Sequence, residues 1–107
     1  MNAPGRDATK ALLRALRSAF DPVNFMNVER VQSREWASIT FTGARHEVTI
    51  RLDGNGAEAA ADRFAEGLEM AEFRLRGHIL ADIVLTAREK TEAGVRLHLE
   101  ALTVEDG

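Results

Sequence analysis

Apolar residues recur at every second position through residues 36–42, 46–52, 79–88 and 95–104. That period belongs to β-strands buried on one side only, because successive side chains point to opposite faces of a sheet. In 46–52, Val48, Ile50 and Leu52 share a face, and in 95–104, Val95, Leu97, Leu99 and Ala101 do. Ile79, Ala81, Ile83, Leu85 and Ala87 form a third apolar row, and Ala37, Ile39 and Phe41 a fourth, with Trp36, Ser38, Thr40 and Thr42 pointing the other way. A two-residue turn at Gly43-Ala44 pairs Ile39 with Val48, Ala37 with Ile50 and Trp36 with Arg51, so that apolar residues meet apolar ones. The same logic pairs Leu85 with Leu97 and Ile83 with Leu99 across the polar segment 89–94.

A one-sided sheet needs a second layer, and two segments with a period near 3.6 supply it. Residues 7–20 carry Leu12, Leu13, Leu16, Ala19 and Phe20 as a stripe, with Asp7 or Thr9 as N-cap and Asp21-Pro22 as a stop. Residues 57–75 carry Ala61, Phe64, Leu68, Ala71 and Leu75, followed by Gly77 at a C-terminal glycine position. Residues 23–35 follow no single period and read as a connector entering an irregular strand from about residue 27. Residues 1–6 are expected to be a disordered tail. The expectation is an α+β fold in αββαββ order: a four-stranded, mainly antiparallel sheet with both helices packed on one face. A chain of 107 residues makes a single domain, within which 7–52 and 57–104 read as an αββ pseudo-repeat.

The net charge of −3, from 17 acidic and 14 basic residues, argues against nucleic acid, whose phosphates require a basic surface. With no cysteine, disulfides, thiolate chemistry and Cys-ligated zinc are excluded. Lys10, Arg14 and Arg17 interrupt the N-terminal apolar run, and no run approaches the roughly 20 residues that span a bilayer. A cytoplasmic protein with no membrane partner and no cofactor is expected.

Gly54-Asn55-Gly56-Ala57-Glu58-Ala59 matches the G-x-G-x-x-G/A spacing of a dinucleotide loop and lies between a strand and a helix. The strand before it is half-buried and hairpin-paired, however, and the chain is too short for paired nucleotide-binding halves. The motif therefore reads as a strand-to-helix turn, with Gly54 and Gly56 supplying unusual backbone angles and Asn55 a cap. The helices carry opposite charge. Arg6, Lys10, Arg14 and Arg17 line one side of the first, and Glu58, Asp62, Glu66 and Glu69 one side of the second; both sets read as solvated faces.

The sheet face away from the helices is more informative. It is expected to carry Trp36, Arg51, Leu80, Val84, Arg96 and Leu102, apolar at one end and polar at the other. An apolar patch there marks an interface, covered either by residues 23–31 or by a second copy of the chain. A non-catalytic module that forms homo-oligomers through this face is the leading expectation. The alternative is small-molecule binding or an acid–base enzyme, in which Asp82 stands opposite Glu100 with His98 diagonally adjacent, so that opposed carboxylates and an imidazole share protons. His46 is expected at a hairpin end and His78 at a strand start. No metal site is expected, and no elbow, zinc or phosphate-loop motif names a reaction.

Overall fold

The computed structural model describes residues 4–19, 25–68, 75 and 77–105. The elements run α1 (Pro4–Ser18), β1 (Phe25–Ala37), β2 (Thr42–Asp53), α2 (Ala57–Gly67), β3 (His78–Lys90) and β4 (Gly94–Glu105). The strands form one antiparallel sheet in the order β1-β2-β4-β3. The α+β architecture is the one that the periodicity implies. Phe20, Ala71 and Glu69 of the predicted stripes lie outside the described residues.

The two central strands follow the strict alternation of their sequences. Val48, Ile50 and Leu52 of β2 and Val95, Leu97, Leu99 and Ala101 of β4 are buried together beneath Leu12 and Leu16 of α1 and Ala57, Ala60, Ala61 and Phe64 of α2. Full burial of a leucine or isoleucine contributes about 1.5–3 kcal/mol, so Leu12 and Leu16, one turn apart, anchor α1. The alanines of α2 let its backbone come close to the sheet. At Gly94 an added Cβ would meet the Leu52 carbonyl and the Ala57 Cβ, so the start of β4 must be glycine for α2 to seat there.

The edge strands depart from simple alternation. The first hairpin turns at 38–41 rather than at Gly43-Ala44, with the Ser38 N–H donating to the Phe41 carbonyl at 2.7 Å and the Phe41 N–H to Ser38 Oγ at 3.0 Å. Trp36 consequently pairs with Gly43, Val31 with Val48 and Val28 with Ile50. Ile39 and Phe41 are exposed in the turn rather than buried. In this register Met26 and Val28 pack against the core. Residues 25–31 thereby lie in the sheet as part of β1 and do not fold across its open face, as one reading of the sequence had them.

The second hairpin is shifted too, by two residues: Leu85 pairs with Leu99 and Ile83 with Ala101. Bulges between Leu80 and Asp82 and between Leu85 and Ala87 each add a residue to β3 and reset which side chains face the helices. α2 ends at Gly67, short of the predicted residue 75, and Leu75 instead forms an isolated bridge to His78. Gly77, at φ +77°, serves this turn and not a helix end. Within the described residues no helix is long and apolar enough to cross a membrane.

Candidate functional site

The open face can be read as rows across β1, β2, β4 and β3. At one end Trp36, Gly43, Val104 and Ile79 are neighbours; next come Arg34, Arg45, Leu102 and Asp82; then Gln32, Glu47, Glu100 and Val84; then Arg30, Thr49, His98 and Ala87; finally Asn27, Arg51, Arg96 and Glu89. Trp36, Val84 and Leu102 stand on this face as expected. Leu80 does not: it pairs with Thr103 on the helix side and packs against the core. The bulge after Leu80 is the cause, since it moves Ile79 to the open face and leaves Leu80 behind it.

The far end of the face is a closed charge network. Glu29, the extra residue in the β1 bulge, accepts from Arg96 Nε at 2.6 Å and from Arg51 Nη1 at 3.3 Å. Arg51 Nε also donates to Asp53 at 2.9 Å. Glu89 lies 3.7 Å from Arg96 and 2.5 Å from His98 Nε2, while His98 Nδ1 contacts the Thr49 hydroxyl at 3.3 Å. The hydrogen bond from Arg96, together with the two guanidinium charges, holds the Glu29 carboxyl below its usual range. Asp53 and then Glu29 raise the pKa of Arg51, and Glu29 raises that of Arg96. Arg51 and Arg96 are therefore structural ties at this end.

The Trp36 end is built differently. Ile79 and Val84 are about half exposed, at 52% and 45%, and Leu102 and Val104 are half-buried with no other part of the described chain above them. The indole of Trp36 lies over Gly43, where a Cβ would press into its ring. The indole N–H is shielded from solvent and has no acceptor among the described residues. Arg34, Arg45, Glu47, Asp82 and Glu100 form no salt bridge among the described residues, in contrast to the saturated far end. The two bases stand on β1 and β2 and the three acids on β2, β4 and β3. A cavity of about 170 Å³ runs between Arg45, Glu47, Asp82, Val84, Glu100 and Leu102.

The predicted acid–base constellation is not assembled. Asp82 pairs with Leu102, Glu100 with Val84 and Glu47, and His98 turns to Glu89 and Thr49. The two-residue shift of the β3–β4 register separates the three. Among the described residues no group of three or more His, Cys, Asp or Glu is arranged to hold a metal.

The glycine-rich stretch is a turn. Gly54 adopts φ +100°, its N–H donates to the Ala93 carbonyl at 2.9 Å, and its carbonyl accepts from Ala57 N–H at 3.2 Å. Gly56 has an ordinary φ of −91° and is itself the N-cap residue, with no side-chain cap, so Asn55 does not cap α2. The Gly54 N–H that a phosphate would need is already bonded. On the helices, the acidic stripe meets β3, with Asp62 at 2.7 Å from Arg88 and Glu58 at 3.4 Å from Lys90. Lys10, Arg14 and Arg17 are exposed on α1.

One polar chain lies on the helix side. His46 is 1% exposed in mid-strand, not at a hairpin end; His78 does open β3. Thr103 Oγ1 donates to the Ala44 carbonyl at 3.4 Å and stands 2.8 Å from His46 Nε2, which must then be the protonated nitrogen. Nδ1 accepts from the Ser33 hydroxyl at 2.7 Å, and Ser33 Oγ is 2.6 Å from Thr9 Oγ1 on α1. Burial, followed by the charge of His78, lowers the His46 pKa. The neutral imidazole satisfies every atom of this chain, so it ties α1, β1, β2 and β4 together. The signal was in the sequence, since His46 is in phase with Val48, Ile50 and Leu52. No family model matches the chain, nor does any curated protein or solved structure.

Proposed function

We propose that this protein is a non-catalytic homodimerising module that self-associates through the Trp36 end of its open sheet face. The observation that carries the reading is the contrast between the two ends. The far end neutralises its own charges, whereas Trp36, Ile79, Val84, Leu102 and Val104 are gathered beside five charges that have no ion-pair partner among the described residues. An apolar patch of this kind on a small domain is a contact surface, and a small core gains in proportion from apolar area buried against a second copy. Nucleic acid is a poor fit for this face, because its arginines are matched by carboxylates. A cytosolic setting suits a chain without cysteine.

Sedimentation equilibrium at micromolar concentration tests the reading, with a dimer mass expected. Leu102→Asp places a charge at the centre of the patch and is expected to raise the monomer fraction while leaving the circular dichroism spectrum unchanged. A monomeric wild-type chain, or a dimer indifferent to Leu102→Asp, would overturn it.

A further inference from the structure

We infer that Arg34 and Arg45 form a two-guanidinium clamp for a small, doubly charged oxyanion of the sulfate or phosphate type. The site is complete in one copy of the chain and goes beyond the self-association proposed above. Arg34 on β1 and Arg45 on β2 are direct cross-strand partners on the open face. Like charges set opposite each other destabilise a sheet, so this pair carries a cost that an anion held between the guanidiniums would remove. The other arginines of the sheet are engaged. Arg51, Arg88 and Arg96 meet carboxylates, and Arg30 donates to Gln32 Oε1 at 3.1 Å. The side chains of Arg34 and Arg45 have no ion-pair or hydrogen-bond partner among the described residues.

The cavity beside this pair is rich in donors. It measures about 260 Å³ and is lined by Gln32, Ser33, Arg34, Arg45 and Glu47, room for several water molecules or one tetrahedral ion. Arg30 occupies the Gln32 carbonyl oxygen, which leaves the amide nitrogen as the end that can donate. The Ser33 hydroxyl is turned to His46 and Thr9 on the helix side. A guanidinium carries donors and no acceptor. The groups that lack partners here therefore call for oxygen acceptors, and two opposed guanidiniums call for two negative charges. Guanidinium forks bind such oxyanions through paired N–H···O bonds. Glu47 limits the size of the ligand. It lines the same cavity, its cross-strand partner is Glu100, and Asp82 lies beyond Leu102 on β3. An anion that extends past Arg45 towards β4 meets these carboxylates, so the clamp takes a small ion and rejects a polyanion.

Sulfate titrations of the isotope-labelled chain, followed by NMR, test the site, with chloride at matched ionic strength as the reference. Saturable shifts of the Arg34 and Arg45 Nε–H resonances are expected with sulfate and not with chloride. Arg34→Gln and Arg45→Gln are each expected to weaken sulfate binding, measured by calorimetry, about tenfold. Arg63→Gln removes the same charge from an exposed position on α2 and is expected to leave binding unchanged, while Glu47→Gln is expected to tighten it. Methyl phosphate is expected to bind as sulfate does, and polyphosphate no more tightly per phosphate group. Shifts that do not saturate would overturn the site. So would losses in Arg34→Gln and Arg45→Gln no greater than in Arg63→Gln, or a preference for polyphosphate per phosphate group. Sedimentation in the same buffers keeps the clamp distinct from the proposed assembly. A monomer that binds sulfate removes self-association alone, and a dimer that does not bind it removes the clamp alone.

Discussion

Glu47 on β2 and Glu100 on β4 are direct cross-strand partners on the open face, and neither forms a salt bridge among the described residues. Like charges in directly opposed positions destabilise a sheet by about 0.2–1 kcal/mol. Glu47→Gln is therefore expected to raise the unfolding free energy by an amount of that order at neutral pH. Urea denaturation at low and high salt checks it, with the gain shrinking as salt screens the repulsion.

His46 ties stability to pH. Its folded-state pKa lies below the ordinary value of 6.5 because the neutral ring is buried. The unfolded chain then binds the proton more readily than the folded one, so stability is full above about pH 6.5 and declines as pH falls below it, levelling once the folded-state pKa is passed. Chemical denaturation across pH 5–8 is expected to show this decline, and His46→Gln to lessen it. An NMR titration of the ring should give a midpoint below 6.5.

Two glycines should respond in opposite ways to alanine. At Gly43 a Cβ would collide with the Thr103 carbonyl and the Trp36 ring, so Gly43→Ala is expected to cost about 1–3 kcal/mol, as over-packing does. At Gly67, the last residue of α2, a Cβ meets nothing within 4 Å and φ is not positive. Gly67→Ala is expected to stabilise by about 0.4–1 kcal/mol through the unfolded chain. Thermal melts of both variants beside wild type make the comparison.

Glu29 holds two arginines on neighbouring strands. Glu29→Gln leaves Arg51 with Asp53 and Arg96 with Glu89, so the expected result is a lower melting temperature without loss of fold, smaller at high salt. The lowered carboxyl pKa of Glu29 predicts that its contribution is present above the usual carboxylate range and disappears as pH falls through the folded-state value. An acid-side denaturation series on wild type and variant is expected to converge.

The central strands were readable because Val48, Ile50 and Leu52, and Val95, Leu97 and Leu99, are apolar in one phase alone. β3 was not. Ile79, Leu80, Ala81, Ile83, Val84, Leu85 and Ala87 are apolar in both phases, so nothing in the pattern marks where Ala81 and Thr86 step out of the ladder. That ambiguity placed Leu80 on the wrong face and Asp82 opposite the wrong residue. In β1 the bulge at Glu29 likewise broke the period, and the turn at 38–41 uses Ser38 rather than glycine or proline. The site inherited these errors at Leu80 and in the partner of Asp82, while Trp36, Val84 and Leu102 kept their side of the sheet.

Trp36 is the only tryptophan, and the chain contains no tyrosine. The indole that lies over Gly43 on the open face is thus the sole strong near-ultraviolet chromophore of the molecule. Its emission wavelength, quenching by iodide and polarisation all report from one known spot on one face. Any occupant of that face, whether a second copy or another molecule, announces itself in the native fluorescence of the unlabelled chain.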